Sequence, residues 1–196
     1  MRRPYLPEEP APQRHSRAAA WLRWARPWAA AVLAARGLHP RRVRAAAAAD
    51  RVAGLILLNS NDSADSPAAK AKREESALRA EAGEYLLMAD AATQKTFHPD
   101  NLARADLMEA RAQETAAYGP ERYAAHLRAS AIRPDRGEVA AAFNGPKLVL
   151  AAIDDVVIPA AKQAEMATRI GAELQEFAGA GHMAPMETPD MACSLS

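Results

Sequence analysis

Two apolar runs of strand length, a long helical interval between them, and acid and histidine side chains just beyond strand ends predict an α/β fold on a parallel sheet. Val52 to Leu58 is a short, nearly unbroken apolar run ending at Asn59, the pattern of a strand covered on both faces, as parallel strands are. Lys147 to Ala152 repeats that pattern, and Leu174 to Phe177 supplies a third strand. Asp154 and Asp155 follow the second run directly, and His182 follows the third after Gly179 and Gly181. Ligands of open α/β sheets bind beyond the carboxyl ends of the strands, so these side chains fall where chemistry is expected.

The first 50 residues differ in kind from the rest. They carry ten arginines against Glu8, Glu9 and Asp50, contain no lysine, and hold all three tryptophans, Trp21, Trp24 and Trp28. The remaining chain is net acidic, so the formal charge of +1 conceals two opposed halves. Residues 1–16 are rich in proline and charge and predict little order. From Ser16 to Arg36 the alanines, leucines and tryptophans allow a helix, with the tryptophans three and four apart on one face. Such a helix covers apolar surface or docks on a membrane surface or partner. Ala45 to Ala49 has helix propensity and almost nothing to bury. A basic arm could touch nucleic acid through charge alone, but it lacks interleaved aromatics, and no nucleic-acid partner is expected.

Beyond Asn59 the chain reads as turn, then helices. Asn59 to Pro67 is rich in asparagine, aspartate and serine, and Pro67 can open a helix at its first position. Residues 68–90 read as a charged helix, 100–117 as a second and 121–131 as a third, punctuated by His98-Pro99 and Tyr118-Gly-Pro120. About 80 residues of mostly helical sequence thus separate two strands, far more than a crossover needs. A helical lid over 63–140 is the expectation. After Pro159, a helix over 160–170 leads to the last strand.

Composition excludes several classes. With 196 residues, 49% of them hydrophobic and 25% charged, the chain suits one soluble domain. Cys193 is alone, which rules out an intramolecular disulfide. No apolar run reaches the roughly 20 residues that cross a bilayer, and Met1 to Pro7 has no apolar stretch behind it. Glu8 and Glu9 weigh against a transit peptide, so the expected location is cytoplasmic. No cofactor and no metal site is expected.

An acid after one parallel strand and a histidine after the next can meet at one sheet edge. The carboxylate then fixes the imidazole tautomer while the other ring nitrogen takes a proton from a nucleophile. Taken singly, Asp154 and Asp155 could be a solvated turn and His182 a loop cap. From Arg51 to Pro189, about 70% of the chain, the sequence resembles the carboxyl-terminal half of the α/β-hydrolase fold superfamily, in its small esterase, enol-lactonase and haloperoxidase-like members. Arg51-Val-Ala-Gly-Leu-Ile-Leu-Leu-Asn-Ser60 looks like that family's sixth strand. Lys147-Leu-Val-Leu-Ala-Ala-Ile-Asp-Asp-Val-Val-Ile-Pro159 looks like the seventh strand with its acid turn, and Gly179-Ala-Gly-His-Met-Ala-Pro-Met-Glu-Thr-Pro189 like the histidine loop. The resemblance implies a partial α/β-hydrolase fold with Asp155 as triad acid, His182 as base and Asp154 shaping the turn. Members that place the acid after the sixth strand nominate Asp62 instead.

The resemblance also implies what is missing. Family members carry Gly-x-Ser-x-Gly about sixteen residues before the arginine of the sixth strand. That count lands on Ala35, and no serine stands between Ser16 and Ser60. Upstream strands and the oxyanion turn are not identifiable either. Ser60, Ser63, Ser66, Ser130 and Ser194 are candidate nucleophiles of low rank, because none stands on a strand-to-helix elbow. The break at residues 50–51 is what a replaced or frame-shifted first segment would leave. Two functions follow: hydrolysis of a small ester or lactone, with Leu86, Leu87, Met88, Phe97, Leu102, Leu107, Met108 and Tyr123 of the lid lining the pocket or its core, or an inactive interaction scaffold. A sheet beginning at its sixth strand would expose an edge to a partner chain or a second copy.

Overall fold

The computed structural model describes residues 31–34 and 52–190. Its four strands, β1 (Ala31–Ala34), β2 (Leu55–Leu58), β3 (Lys147–Ala152) and β4 (Glu173–Phe177), form one parallel sheet in that order. Ala34 stands opposite Leu58, Leu58 opposite Leu150 and Ala152 opposite Phe177. The carboxyl ends of the strands therefore share one edge.

β1 corrects the sequence reading. Ala31–Ala34 lie in the stretch whose alanines favour a helix, yet they pair with β2 as a strand, because a waiting parallel partner outweighs a propensity of a few tenths of a kcal/mol per residue. β2 is consequently an inner strand, bonded on both sides, and not the open edge expected for it. The tryptophan helix, the Ala45–Ala49 run, Ala35, Cys193 and Ser194 lie outside the described residues.

Strand alternation builds a core on each face of the sheet. Leu55, Leu57 and Val149 pack on one face against Met166, Ala167 and Ile170 of α6 (Ala160–Ile170) and Ala140 of α5 (Gly137–Ala142). Leu58, Leu148, Leu150 and Ala152 pack on the other against Ala180 and against Ala184 of the short α7 (Ala184–Glu187). Burial on both faces is why these strands read as continuous apolar runs. It also sets the histidine loop directly on the sheet.

The helical interval comprises α1 (Pro67–Arg79), α2 (Tyr85–Thr96), α3 (Ala105–Tyr118) and α4 (Pro120–Ala131). Ser66 caps α1 by accepting from the Ala69 N–H, and Pro67 takes the first helical position, as its fixed φ allows. The expected continuous helix over 68–90 is divided at Ala80–Glu84, where Gly83 adopts φ 100°. Ala77, Ala80 and Ala124, all fully buried, bring α1 and α4 into close contact. Tyr85 meets Tyr123 in a tilted ring contact, 5.3 Å between centroids, and donates its hydroxyl to the Thr115 carbonyl.

An ion network closes the neck of this interval, where the chain leaves β2 and returns toward β3. The Asp62 carboxylate bonds Arg169, its carbonyl accepts from the Arg136 N–H, and Arg133 reaches Asn61 and the Ser63 carbonyl. Asp65 pairs with Arg73, whose hydrogen bond holds the carboxyl below its usual range although burial opposes the shift. A depressed folded pKa stabilises fully above the unfolded value and is lost as pH falls through the folded one. The melting temperature is therefore expected to fall as pH drops below about 4. In Asp65→Asn that acid limb should be shallower, as read by circular dichroism melts across pH.

Candidate active site

The acid turn is built by the end of β3. Ala152 accepts from the Asp155 N–H at 3.2 Å, and the Asp155 carboxylate folds back to accept from Val157 N–H at 2.8 Å and Ile158 N–H at 2.9 Å through one oxygen, Oδ1. Two backbone donors thus fix the carboxylate and leave Oδ2 for another partner. That partner is His182, whose Nδ1 lies 2.9 Å away. The Asp155 side chain is fully buried and the His182 ring is 14% exposed, so the pair is shielded from solvent competition. A carboxylate on Nδ1 holds the ring in the Nδ1–H tautomer and leaves Nε2 as the proton acceptor.

The histidine loop is pinned from three sides. Gly179 turns the chain after β4 with φ 81°, a region that side-chain-bearing residues avoid. The Gly181 N–H donates to Glu187 Oε1 at 2.9 Å, and its carbonyl accepts from Asn59 Nδ2 at 2.8 Å. The Met183 N–H donates to the Thr96 carbonyl, tying the loop to the end of α2. Glu187 Oε2 in turn accepts from the His98 N–H at 2.7 Å and from Asn101 Nδ2 at 2.8 Å.

The other sequence candidates fall elsewhere. Asp154 faces His98, 3.6 Å from its Nε2, and not His182. Asp62 is committed to Arg169 at the neck. Ser60 is buried with its hydroxyl unpartnered, and among the described residues no serine hydroxyl is hydrogen-bonded to His182. Asn59 and Glu187, both buried, escaped the sequence reading. Their signals were a polar residue closing an apolar strand and an acid five residues beyond the histidine, neither distinctive without the fold.

A cavity of about 200 Å³ opens beside His182 and Met183 under the helical interval. Tyr85, Tyr118, Tyr123 and Leu127 supply its apolar and aromatic wall, and Arg73, Arg111, Glu114 and His126 its polar side. Of the residues expected to line the pocket or its core, Tyr123 lines the cavity, Phe97 and Leu107 are buried in packing, and Leu86 and Leu87 are 63% and 68% exposed. No group of acids, histidines or cysteines among the described residues could hold a metal ion, and no described helix is long and apolar enough to cross a membrane.

No protein-family model and no curated protein sequence matches the chain. Solved structures do. A thermophilic esterase from Thermogutta terrifontis superposes with a TM-score of 0.70 and 29% identity, over 77% of this chain and 56% of its own. The enol-lactonase from Burkholderia xenovorans gives 0.63 and 26%, over 78% and 57% respectively. A hydrolase from Pseudomonas aeruginosa shares the fold at 0.67 and 22% identity, over 90% of this chain and 67% of its own. The chain spans a little over half the length of the first two. With its parallel sheet, acid turn and histidine loop in their order, it has an α/β-hydrolase fold, similar to the carboxyl-terminal half of these structures.

Proposed function

We propose that this chain presents the base and acid of a site built to hydrolyse a small ester or lactone, and does not complete the relay with a serine of its own. The observation that carries the first part is the His182–Asp155 pair, 2.9 Å apart, with His182 in the wall of the cavity. His182 Nε2 would take the proton of an attacking hydroxyl, and Asp155 would orient the ring and stabilise the imidazolium. The helical interval 63–140 acts as the lid, and its tyrosines form the acyl pocket. The similarity to an esterase and an enol-lactonase supports the substrate class.

The second part rests on the serines. The sequence has Ala35 where the family's nucleophile stands, and no described serine hydroxyl bonds His182. One missing oxyanion donor alone costs about 3 kcal/mol of transition-state stabilisation, and a missing nucleophile removes the acyl-enzyme route altogether.

A ligand-binding experiment tests the pocket independently of turnover. A small non-hydrolysable ester analogue, a methyl phosphonate diester, should shift the NMR resonances of His182, Met183 and Tyr123. Tyr123→Trp, which fills the cavity, should weaken binding at least about tenfold, roughly the effect of losing 1.4 kcal/mol. Shifts confined to other surfaces would remove the pocket assignment.

A further inference from the structure

Asn59 stands in no assigned role, is fully buried, and is the one described residue other than glycine with a positive φ, 44°. It is placed at the end of β2, one strand away from the acid turn and two from the histidine loop. Its backbone N–H continues the ladder to the Leu150 carbonyl at 3.0 Å. Beyond that point the side chain takes over. Oδ1 accepts from the Ala152 N–H at 2.8 Å, while Nδ2 donates to the Gly181 carbonyl at 2.8 Å and, at 3.4 Å, to that of His182.

We propose that Asn59 is the positioning residue that sets the approach of His182 to Asp155. The inference rests on the Asp155–His182 relay read above. Ala152, which Asn59 holds by its N–H, is the residue whose carbonyl opens the turn carrying Asp155. Gly181, which Asn59 holds by its carbonyl, is the residue before His182. One rigid amide therefore spans both loops and fixes their separation. The partners also dictate the amide's orientation, since a backbone N–H needs an acceptor and a carbonyl needs a donor.

Few side chains of this size can do both. Aspartate keeps the acceptor for Ala152 and tolerates the left-handed backbone, but turns a second oxygen toward two carbonyls. Alanine keeps neither bond. Without the donor, the Gly181 carbonyl is released from β2 while Glu187 still holds the Gly181 N–H, so the ring loses its fixed direction without the loop leaving the sheet. The predicted consequence is a change in the imidazole, not merely in stability.

Tautomer-resolved NMR of the full chain labelled with ¹⁵N-histidine reads this directly. In the native chain His182 should show a protonated Nδ1, with its proton far downfield and protected from exchange. Asn59→Asp and Asn59→Ala should lose that downfield proton and mix the two tautomers. Leu57→Ala, which opens the core on the sheet face away from the histidine loop, should lower the melting temperature and keep the proton. Retention of the signal in both Asn59 variants, or its equal loss in Leu57→Ala, would overturn the positioning role. Absence of the proton from the native chain would overturn the Asp155–His182 relay itself, and the role of Asn59 with it.

Discussion

Gly181→Ala should lower the melting temperature by about 6–12 °C and free His182 from its orientation. A Cβ at Gly181 would sit 2.6 Å from the Thr96 carbonyl oxygen, 2.9 Å from the His98 nitrogen and 2.9 Å from the Phe97 carbonyl carbon. All three are backbone atoms, so no side chain can swing aside. Either the histidine loop or the end of α2 must move, which breaks the Met183–Thr96 hydrogen bond and strains the Gly181 N–H to Glu187. Forced overpacking costs about 3 kcal/mol at its upper end, and about 2–4 °C accompanies each kcal/mol in a chain of this size. Thermal melts give the first effect, and loss of the His182 downfield proton gives the second. Gly179, where a Cβ meets nothing within 4 Å, makes the comparison: Gly179→Asn should cost far less, because asparagine tolerates the positive φ.

Glu187→Ala should destabilise by about 3–4 kcal/mol, the other large effect. This carboxylate is 3% exposed and accepts three N–H donors, from Gly181, His98 and Asn101, which belong to two separate parts of the chain. Each buried donor left without a partner costs about 1–3 kcal/mol. Glu187→Gln keeps one oxygen and turns an NH2 group toward an N–H, so its loss should be smaller. Urea unfolding of the three chains should give the order native, Gln, Ala. Equal stability of Ala and native would show that Glu187 does not join the histidine loop to the 98–101 segment. Asn101 also donates to the Gly179 carbonyl, and Arg104 to the Glu187 carbonyl, so the segment between α2 and α3 is fastened to the histidine loop and α7.

The sheet was legible because burial on both faces leaves unbroken apolar runs. β3 matches its expected span, Lys147–Ala152, between a proline and an acid pair, and α6 matches 160–170 between Pro159 and Gly171. α5 and α7 were not seen: six and four residues are too short for a helical period to show. The division of α1 from α2 was missed because one glycine in a long charged helix usually costs only about 1 kcal/mol and is tolerated. Of the site, Asp155 and His182 could be named because strand ends locate them, and Asp155 could be separated from Asp154 only by family resemblance. Asn59 and Glu187 act through hydrogen bonds across 122 and 89 residues of chain, and no local pattern announces such contacts. The lining tyrosines Tyr85, Tyr118 and Tyr123 come from α2, α3 and α4, and only the packing of those helices brings them together.

The proposed His182–Asp155 relay has no serine nucleophile of its own in this chain. Labelling of the intact chain with a fluorophosphonate probe, read residue by residue by mass spectrometry, tests it most directly. No serine whose modification depends on His182 is expected. A serine labelled in the native chain and unlabelled in His182→Ala would contradict it, and would identify the nucleophile of a working hydrolase.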